Sequence, residues 1–231
     1  MPTNSSARVA PPSAETASID AGDFSSWLAQ ARSALIDGGG SDVDCRGCVG
    51  CCSSSYFIHI RPDESPALSR LPHELLAPAP GMASGHQVLG YDEKGRCPML
   101  CATGCSIYDE RPRTCRAYDC RLFAAAGIAA GGADKAAINQ RLRRWKFSYP
   151  SARDRQEQRA VKAVASFVEQ HAGDFPGGRV PTNPSQLAVL AIKAYAVFMS
   201  EEGASEATSS NSEVAQAVIA ACRLFDARIR A

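Results

Sequence analysis

The chain has 231 residues, a formal net charge of +1 and a hydrophobic content of 45%. A chain of this length buries a core without needing a metal merely because it is small. Its near-neutral charge provides no global field that would favour nucleic acid, anionic lipid or acidic substrates. No stretch approaches the roughly 20 apolar residues that a membrane span requires, so neither nucleic acid nor a membrane is an expected partner.

Residues 1–18 are small, polar and rich in proline, which predicts a disordered N-terminal tail. The tail contains no apolar run of the length that a secretory signal needs. The expected location is therefore the cytoplasm, in a bacterial or organellar interior where thiols stay reduced.

Four secondary-structure elements are predicted between residues 23 and 97. Helical spacing of apolar residues predicts a helix over residues 23–36. A run rich in β-branched and aromatic residues predicts a strand over residues 53–60, and a short helix is expected over residues 61–76. Residues 87–97 suggest a hairpin that delivers Cys97 to the other cysteines.

The second half of the chain is predicted to be helical. One helix begins near Asp134 and is expected to stop before Tyr149, because a proline follows. A second amphipathic helix is predicted over residues 154–171. Asn183-Pro-Ser-Gln186 and Ser210-Asn-Ser-Glu213 have the composition of N-terminal caps, and each would open a further helix.

Nine of the ten cysteines fall within residues 45–120, and their spacing is typical of a metal site. Two-residue gaps in the run Cys45-x-x-Cys48-x-x-Cys51-Cys52 let one tight turn direct several sulfurs toward a single point. Three such cysteines fit a tetrahedral Zn²⁺ site or three corners of a [4Fe–4S] cube. A further ligand would come from elsewhere in the chain, and Cys97-Pro98 fits that role, as other distal cysteines would.

Neighbouring Cys51 and Cys52 cannot easily point the same way, so they are expected to serve different metals or to bracket a two-metal cluster. Disulfide bonds are the main alternative use of so many cysteines. Disulfide-dense domains are usually short, secreted and loop-rich, and they spread their cysteines along the chain. This chain is long, shows no secretory signal and has only Cys222 in its helical half, so the sequence favours metal binding.

Three cysteine blocks, taken together, resemble a known family. They are Cys45-x-x-Cys48-x-x-Cys51-Cys52, then Gly95-Arg-Cys97-Pro-x-Leu100, then Cys105-x-Ile-Tyr108-x-x-Arg111-Pro112-x-x-Cys115-Arg116-x-Tyr118-x-Cys120. Their order and internal spacing resemble the CxxCxxCC family of bacterial (YkgJ-type) cysteine-cluster proteins, which are described as zinc- or iron-chelating domains. The resemblance covers residues 40–125, roughly a third of the chain.

The resemblance implies eight metal ligands, which are Cys45, Cys48, Cys51, Cys52, Cys97, Cys105, Cys115 and Cys120. Cys101 departs from the family pattern within a short insert, and we interpret it as a bystander rather than a ninth ligand or a substitute. Cys222 lies beside Phe225 in an amphipathic helix, where the expected role is that of a small buried hydrophobic residue.

Other side chains near the cysteines are candidates for a supporting role. Positive charge close to thiolates would stabilise a metal–thiolate centre and lower thiol pKa values. The candidates are Arg111, Arg113, Arg116 and Arg121. Pairing of Arg111 or Arg116 with Asp109, Glu110 or Asp119 on a solvated helix face is the alternative. Tyr108 and Tyr118 are either hydrogen-bond donors to sulfur or core residues, and His59 is the histidine best placed to join the site.

These patterns predict a mainly α fold that is α+β at the metal site, with a small cysteine-rich metal-binding element packed on a helical bundle. The expected organisation has three parts. They are the disordered tail over residues 1–18, a cysteine-cluster metal-binding domain over residues 19–130 and a C-terminal helical region over residues 131–231 packed on it.

The function expected from the sequence is metal binding, with zinc or iron as the cofactor, including a [4Fe–4S] cluster, and the metal ion as the partner. The competing hypothesis is an enzyme, because the flagellin lysine methylases share a resembling cysteine cluster. A methyl-transfer or redox role would require an open coordination position on the metal.

Overall fold

Helical turns occupy 54% and strands 11% of the residues described by the structure, a computed structural model. The described residues are 17–37, 39–41, 43, 48–199 and 210–229. Three small sheets lie among the helices, so the fold is a mixture of α and β elements. The predicted mainly α fold built on a helical bundle is therefore wrong. Most of these strands have two to four residues, which is too few for an apolar alternation to be recognised.

Within the described residues, eight α-helices form, some of them a single turn. They are α1 (Phe24–Asp37), α2 (Ser65–Leu68), α3 (Arg113–Ala117), α4 (Arg121–Ala126), α5 (Ala136–Arg144), α6 (Ala152–Gln170), α7 (Pro184–Ala194) and α8 (Asn211–Ile229). None of the helices in this part of the chain is both long enough and apolar enough to cross a membrane.

The strands are β1 (Ile19–Asp23), β2 (Ile58–Ile60), β3 (Leu76–Pro78), β4 (Gln87–Leu89), β5 (Leu100–Cys101), β6 (Gly104–Cys105) and β7 (Trp145–Ser148). Strand β1 pairs with β7 in parallel, and β4 lies between β2 and β3 in an antiparallel sheet. Strands β5 and β6 form a short antiparallel hairpin.

The hairpin predicted over residues 87–97 is wrong, because β4 pairs instead with strands that precede it in the chain. A tight turn follows β4. The N–H of Asp92 donates to the carbonyl of Arg96 at 2.8 Å, and the N–H of Gly95 donates back to the carbonyl of Asp92 at 2.8 Å. Cys97 therefore reaches the site from a turn rather than from a strand.

The helix that begins near Asp134 ends four residues earlier than predicted. Helix α5 stops at Arg144, and the next four residues form β7 against β1. The aromatic ring of Phe147 on β7 packs edge-on against Phe24, with ring centroids 5.0 Å apart. The pairing of two distant strands thus overrides the local helical pattern.

Caps fix the starts of the long helices. Asn183 Oδ1 accepts the backbone N–H of Ser185 at 2.9 Å, and Ser210 and Glu213 form a reciprocal pair, which confirms both predicted caps. A third cap was missed: Ser151 and Asp154 form a capping box at the start of α6. The Asp154 carboxylate also accepts the N–H of Ser25 at 2.9 Å, which joins α6 to α1.

Two hydrophobic clusters divide the interior. The larger contains buried residues from both sides of residue 130, including Phe24, Phe123, Val164 and Ile192, and it joins α1, α4, α6 and α7. The smaller lies beneath the three-stranded sheet and consists of Ile60, Leu71, Leu89 and Ile107. Cys51 packs against the larger cluster, whereas Cys97 and Cys105 pack against the smaller. The cysteine blocks therefore lie where the two clusters meet.

Candidate metal centre

One cavity of about 440 Å³ gathers cysteines from all three sequence blocks. Six of the eight predicted ligands line it, namely Cys48, Cys51, Cys52, Cys97, Cys105 and Cys115. Much of the remaining wall is apolar and comes from Ile58, Leu89, Met99 and Ile107. Cys45 lies outside the described residues. The chain therefore brings together cysteines that are as far apart in sequence as positions 48 and 115.

The first cysteine block is held by a 3₁₀ turn over Cys51–Ser53. Buried Ser54 closes this turn, because its hydroxyl donates to the carbonyl of Gly50 at 2.6 Å. The ammonium group of Lys135 donates to the carbonyl of Ser54 and lies 4.4 Å from the centre of the Tyr56 ring. The start of α5 thus fixes the turn that carries Cys51 and Cys52.

The second block is joined to the first by two backbone hydrogen bonds. The N–H of Cys97 donates to the carbonyl of Cys52 at 2.7 Å, and the N–H of Ser55 donates to the carbonyl of Gly95 at 2.9 Å. Gly95 has a φ of +71°, and a Cβ atom there would lie 2.3 Å from Ser55 Oγ. The backbone conformation at Gly95 therefore favours glycine, and any larger residue there would also displace the Ser55 hydroxyl.

The third block is docked on the three-stranded sheet through α3. The Thr114 hydroxyl donates to the carbonyl of His59 on β2 at 2.6 Å, and the N–H of Arg113 donates to the carboxylate of Glu64 at 2.5 Å. Pro112 precedes the helix, and its carbonyl accepts the N–H of Cys115 at 2.9 Å. These contacts set the position of α3, from which Cys115 lines the cavity.

Three other cysteines are placed differently. Cys120 is 7% exposed, and its sulfur accepts a hydrogen bond from the indole N–H of Trp145 at 3.2 Å in the core. Cys101 is exposed on the β5–β6 hairpin, where it contacts Thr103 Oγ1 at 3.2 Å. This hydrogen bond lowers the pKa of the Cys101 thiol. Cys222 is half-buried and packs against the larger hydrophobic cluster.

Burial controls the protonation of the cavity cysteines. Loss of hydration is the largest cause that raises the pKa of Cys115 to about 12; the nearby sulfurs of Cys52, Cys97 and Cys105 contribute, and Arg111 opposes them. Burial also raises the pKa of Cys97, with a smaller contribution from Cys105. In the absence of a metal these thiols hold their protons at neutral pH, so a bound cation would have to displace them.

The arginines near the third block have separate roles. Arg111 lines the cysteine cavity, donates from Nε to the carbonyl of Tyr108 at 2.7 Å and stacks 3.6 Å from the centre of that ring. Arg121 instead forms a salt bridge with buried Asp119 at 2.9 Å. Arg113 and Arg116 line a neighbouring cavity. Arg111 is therefore the arginine that combines a fixed position with proximity to the thiols.

The tyrosine and histidine candidates also differ in whether they line the cavity. Tyr118 lines the cavity, and its hydroxyl oxygen lies 3.1 Å from that of Tyr56. Burial raises the pKa of Tyr118, and Cys51 adds to the effect, so this phenol keeps its proton beside the sulfurs. His59 does not line the cavity; its Nε2 lies 2.8 Å from Nδ1 of His86. Ile58 lines the cavity instead, because successive residues of β2 face opposite sides of the sheet.

The donor set fits a thiophilic metal by its chemistry, since six thiols share one cavity wall. Within the described residues, no three cysteine, histidine or carboxylate side chains converge closely enough to hold one ion. Metal sites form together with local folding, so binding would draw the sulfurs closer. Thr103 and Asp109 also line the cavity; the sequence did not single out Thr103, and it indicated Asp109 only as a possible partner of an arginine. Neither residue carries a recognisable metal-ligand spacing.

Comparison with known proteins finds a family model that matches the cysteine-rich part of the chain. Residues 44–141 match the model of the CxxCxxCC family, whose description is "Putative zinc- or iron-chelating domain". The match contains all three cysteine blocks and confirms the family resemblance seen in the sequence. Neither a curated protein nor a solved structure matches the chain.

Proposed function

We propose that this chain, which carries a CxxCxxCC domain over residues 44–141, binds zinc or iron through the thiolates of its cysteine cavity. The observation that supports the proposal most strongly is the convergence of six cysteines from three separate blocks on one cavity. Cys45 stands three residues before Cys48 in the same repeat, so we include it as a seventh ligand. Cys120 is left out, because its sulfur lies in the core beside Trp145.

Seven thiolates exceed the four that one closed zinc site needs. A centre with more than one metal therefore suits this chain better than a single ion. Two arrangements fit the donor set, namely zinc ions that share cysteines and an iron–sulfur cluster with additional thiols nearby. In either arrangement the adjacent Cys51 and Cys52 would contact different metals.

Arg111 would balance part of the charge of such a centre. Zinc with four thiolates carries two net negative charges, so a nearby guanidinium group stabilises it. The hydrogen bond and ring contact to Tyr108 hold Arg111 in place before any metal arrives. The thiols must be reduced to bind metal, so we place the protein in a reducing compartment such as the cytoplasm.

The decisive experiment is anaerobic purification followed by measurement of zinc, iron and acid-labile sulfide per chain, together with absorbance near 400 nm. Two or more zinc ions in a colourless protein, or iron with sulfide in a brown one, would each support the proposal and would identify the metal. Cys97→Ser should lose most of the metal, whereas Cys222→Ser should keep it, because Cys222 lies far from the cavity wall. Wild-type protein without zinc or iron would refute the proposal.

A further inference from the structure

A second cavity, of about 210 Å³, adjoins the cysteine cavity, and Arg111 lines both. Four arginines line this second cavity, namely Arg61, Arg111, Arg113 and Arg116. We name it the arginine cavity. Three carboxylates also line it, so the formal charge of the wall remains positive. The proposed metal binding uses this cavity only through Arg111.

One carboxylate holds the arginine cavity together through the backbone. Glu64 Oε1 accepts the N–H of Arg61 at 2.9 Å, and Glu64 Oε2 accepts the N–H of Arg113 at 2.5 Å. Both oxygens of Glu64 thus bind main-chain donors rather than guanidinium groups. This bridge brings Arg61, which follows β2, against α3, although some 50 residues separate them in the sequence.

These arginine side chains differ in how they are paired among the described residues. Among the residues that the structure describes, no carboxylate lies within 4.0 Å of the guanidinium group of any of the four. Arg111 donates from Nε to the carbonyl of Tyr108. For Arg61, Arg113 and Arg116, no side-chain hydrogen bond forms within the same residues. Their donors are therefore available to a molecule that enters the cavity.

We propose that the arginine cavity binds an oxyanion, a phosphate or carboxylate group of a small molecule, through Arg61, Arg113 and Arg116. Guanidinium groups that surround a common space repel one another, and a bound oxyanion replaces this repulsion with charge-assisted hydrogen bonds. The planar fork of arginine matches both phosphate and carboxylate, which is why these two groups form one chemical class here. The inference does not rest on metal binding by the neighbouring cavity.

The test is calorimetric titration of the purified full-length protein with inorganic phosphate and, separately, with acetate, at an ionic strength held constant with sodium chloride. Saturable binding at one site is expected for at least one of the two anions. Tighter binding of phosphate would identify a phosphate ligand, and tighter binding of acetate a carboxylate ligand. Binding of neither anion above the chloride background would overturn the proposal.

Substitutions of single arginines show whether the anion binds in the arginine cavity or to surface charge in general. Arg113→Gln and Arg116→Gln should each weaken binding about ten-fold or more, because each removes a charge-assisted pair. Arg70→Gln is the matched control, since Arg70 is exposed and lies outside the cavity, and it should leave affinity unchanged. Equal losses in all three variants would overturn the site.

The metal content and the circular dichroism spectrum of each variant show whether a loss of anion binding is caused by misfolding. Each variant should retain the wild-type zinc and iron content, because none of these side chains is a proposed ligand. If Arg113→Gln does not fold, Arg61→Gln serves instead, because Arg61 is exposed and lies before α3. A folded Arg61→Gln protein with unchanged affinity would also overturn the proposal. Wild-type protein that contained no zinc or iron but still bound phosphate or acetate would leave this inference standing while the metal proposal failed.

Discussion

Trp145 donates a hydrogen bond from its indole Nε1 to the sulfur of Cys120 at 3.2 Å. The preceding residue, Asp119, accepts a hydrogen bond from the indole Nε1 of Trp27 at 3.0 Å. Both tryptophans of the chain thus contact consecutive residues at the end of the third cysteine block. Trp27 lies on α1 and Trp145 on β7, so these bonds join that block to the helical part of the protein.

Asp119→Ala should destabilise the protein strongly. The carboxylate is 3% exposed and accepts hydrogen bonds from Trp27, Ser41 and Arg121, so its loss leaves the indole N–H of Trp27 without this acceptor and the largely buried guanidinium group of Arg121 without its salt-bridge partner. We expect a loss of about 3–5 kcal/mol in the free energy of unfolding, as for other broken buried pairs. Urea unfolding of the metal-loaded protein measures it.

Glu93→Ala is the control for this substitution, because Glu93 is exposed and should change stability by less than about 0.5 kcal/mol. A loss for Asp119→Ala no larger than that of the control would contradict the anchoring role of the bond between Asp119 and Trp27.

Cys115→Ser should abolish or greatly reduce metal binding, whereas Cys101→Ser should leave the metal content unchanged. Cys115 lines the cavity on α3, but Cys101 is exposed on the hairpin and is not part of the cavity wall. Metal per chain after anaerobic purification is the measurement. Equal metal loss in the two variants would show that Cys101 is a ligand and would require a different ligand set.

Gly95→Ala should lower both stability and metal content. The substitution adds a side chain at a φ of +71° and places its Cβ atom 2.3 Å from Ser55 Oγ, so the Ser55 hydroxyl must rotate away at the junction of the two segments that carry Cys52 and Cys97. The expected cost is about 1–3 kcal/mol, as for other strained backbone positions. Thermal unfolding and metal analysis together measure the effect.

Gly81→Ala separates the cost of the positive φ from the cost of the close contact with Ser55. Gly81 also has a φ of +71°, but no atom lies within 4 Å of the position that its Cβ would occupy. It should therefore show the conformational cost alone and should keep its metal. If both glycine variants lost metal equally, the close contact between Gly95 and Ser55 would have no role in forming the site.

The ionisation of Asp154 should make the stability of the protein depend on pH in the acid range. Hydrogen bonds to Asp154 from Ser151 and Ser25 hold the pKa of the carboxyl group well below its usual range. A depressed pKa stabilises the folded state above the unfolded-state value of about 3.9, and this contribution disappears as the pH falls below it. Asp154→Asn should therefore be less stable at neutral pH and lose less stability on acidification.

Unfolding in urea between pH 6 and pH 3 compares the two proteins. The difference between wild type and Asp154→Asn should narrow toward the acid end of this range. A difference that stayed constant with pH would show that the charge of Asp154 does not link α1 to α6.

Local patterns predicted those features that depend on neighbours in the sequence. The caps at Asn183 and Ser210 form as expected, because a cap involves side chains and backbone groups within three residues. The β1–β7 pair could not be predicted in this way, since it joins residues more than 120 positions apart. Trp145 fits a helical face in the sequence, but pairing with β1 places it on a strand.

The three cysteine blocks recognised in the sequence supply six of the residues that line the cavity. The cysteine spacing could not separate Cys115 from Cys120, which belong to one motif but face the cavity and the core respectively. The position of His59 could have been anticipated. Alternation along a strand puts Ile58 and His59 on opposite faces, and the histidine faces away from the thiols.

The position of the cysteine cavity between two hydrophobic clusters has a consequence for local opening. Cys51 belongs to the side of the larger cluster, whereas Cys97 and Cys105 belong to the side of the smaller one. A metal bound by all three would cross-link the two clusters, and without it we expect them to open independently. Removing it should accelerate hydrogen exchange in β2, β3 and β4 far more than in α6 and α7, because among the described residues the smaller cluster has four buried members and the larger has many more.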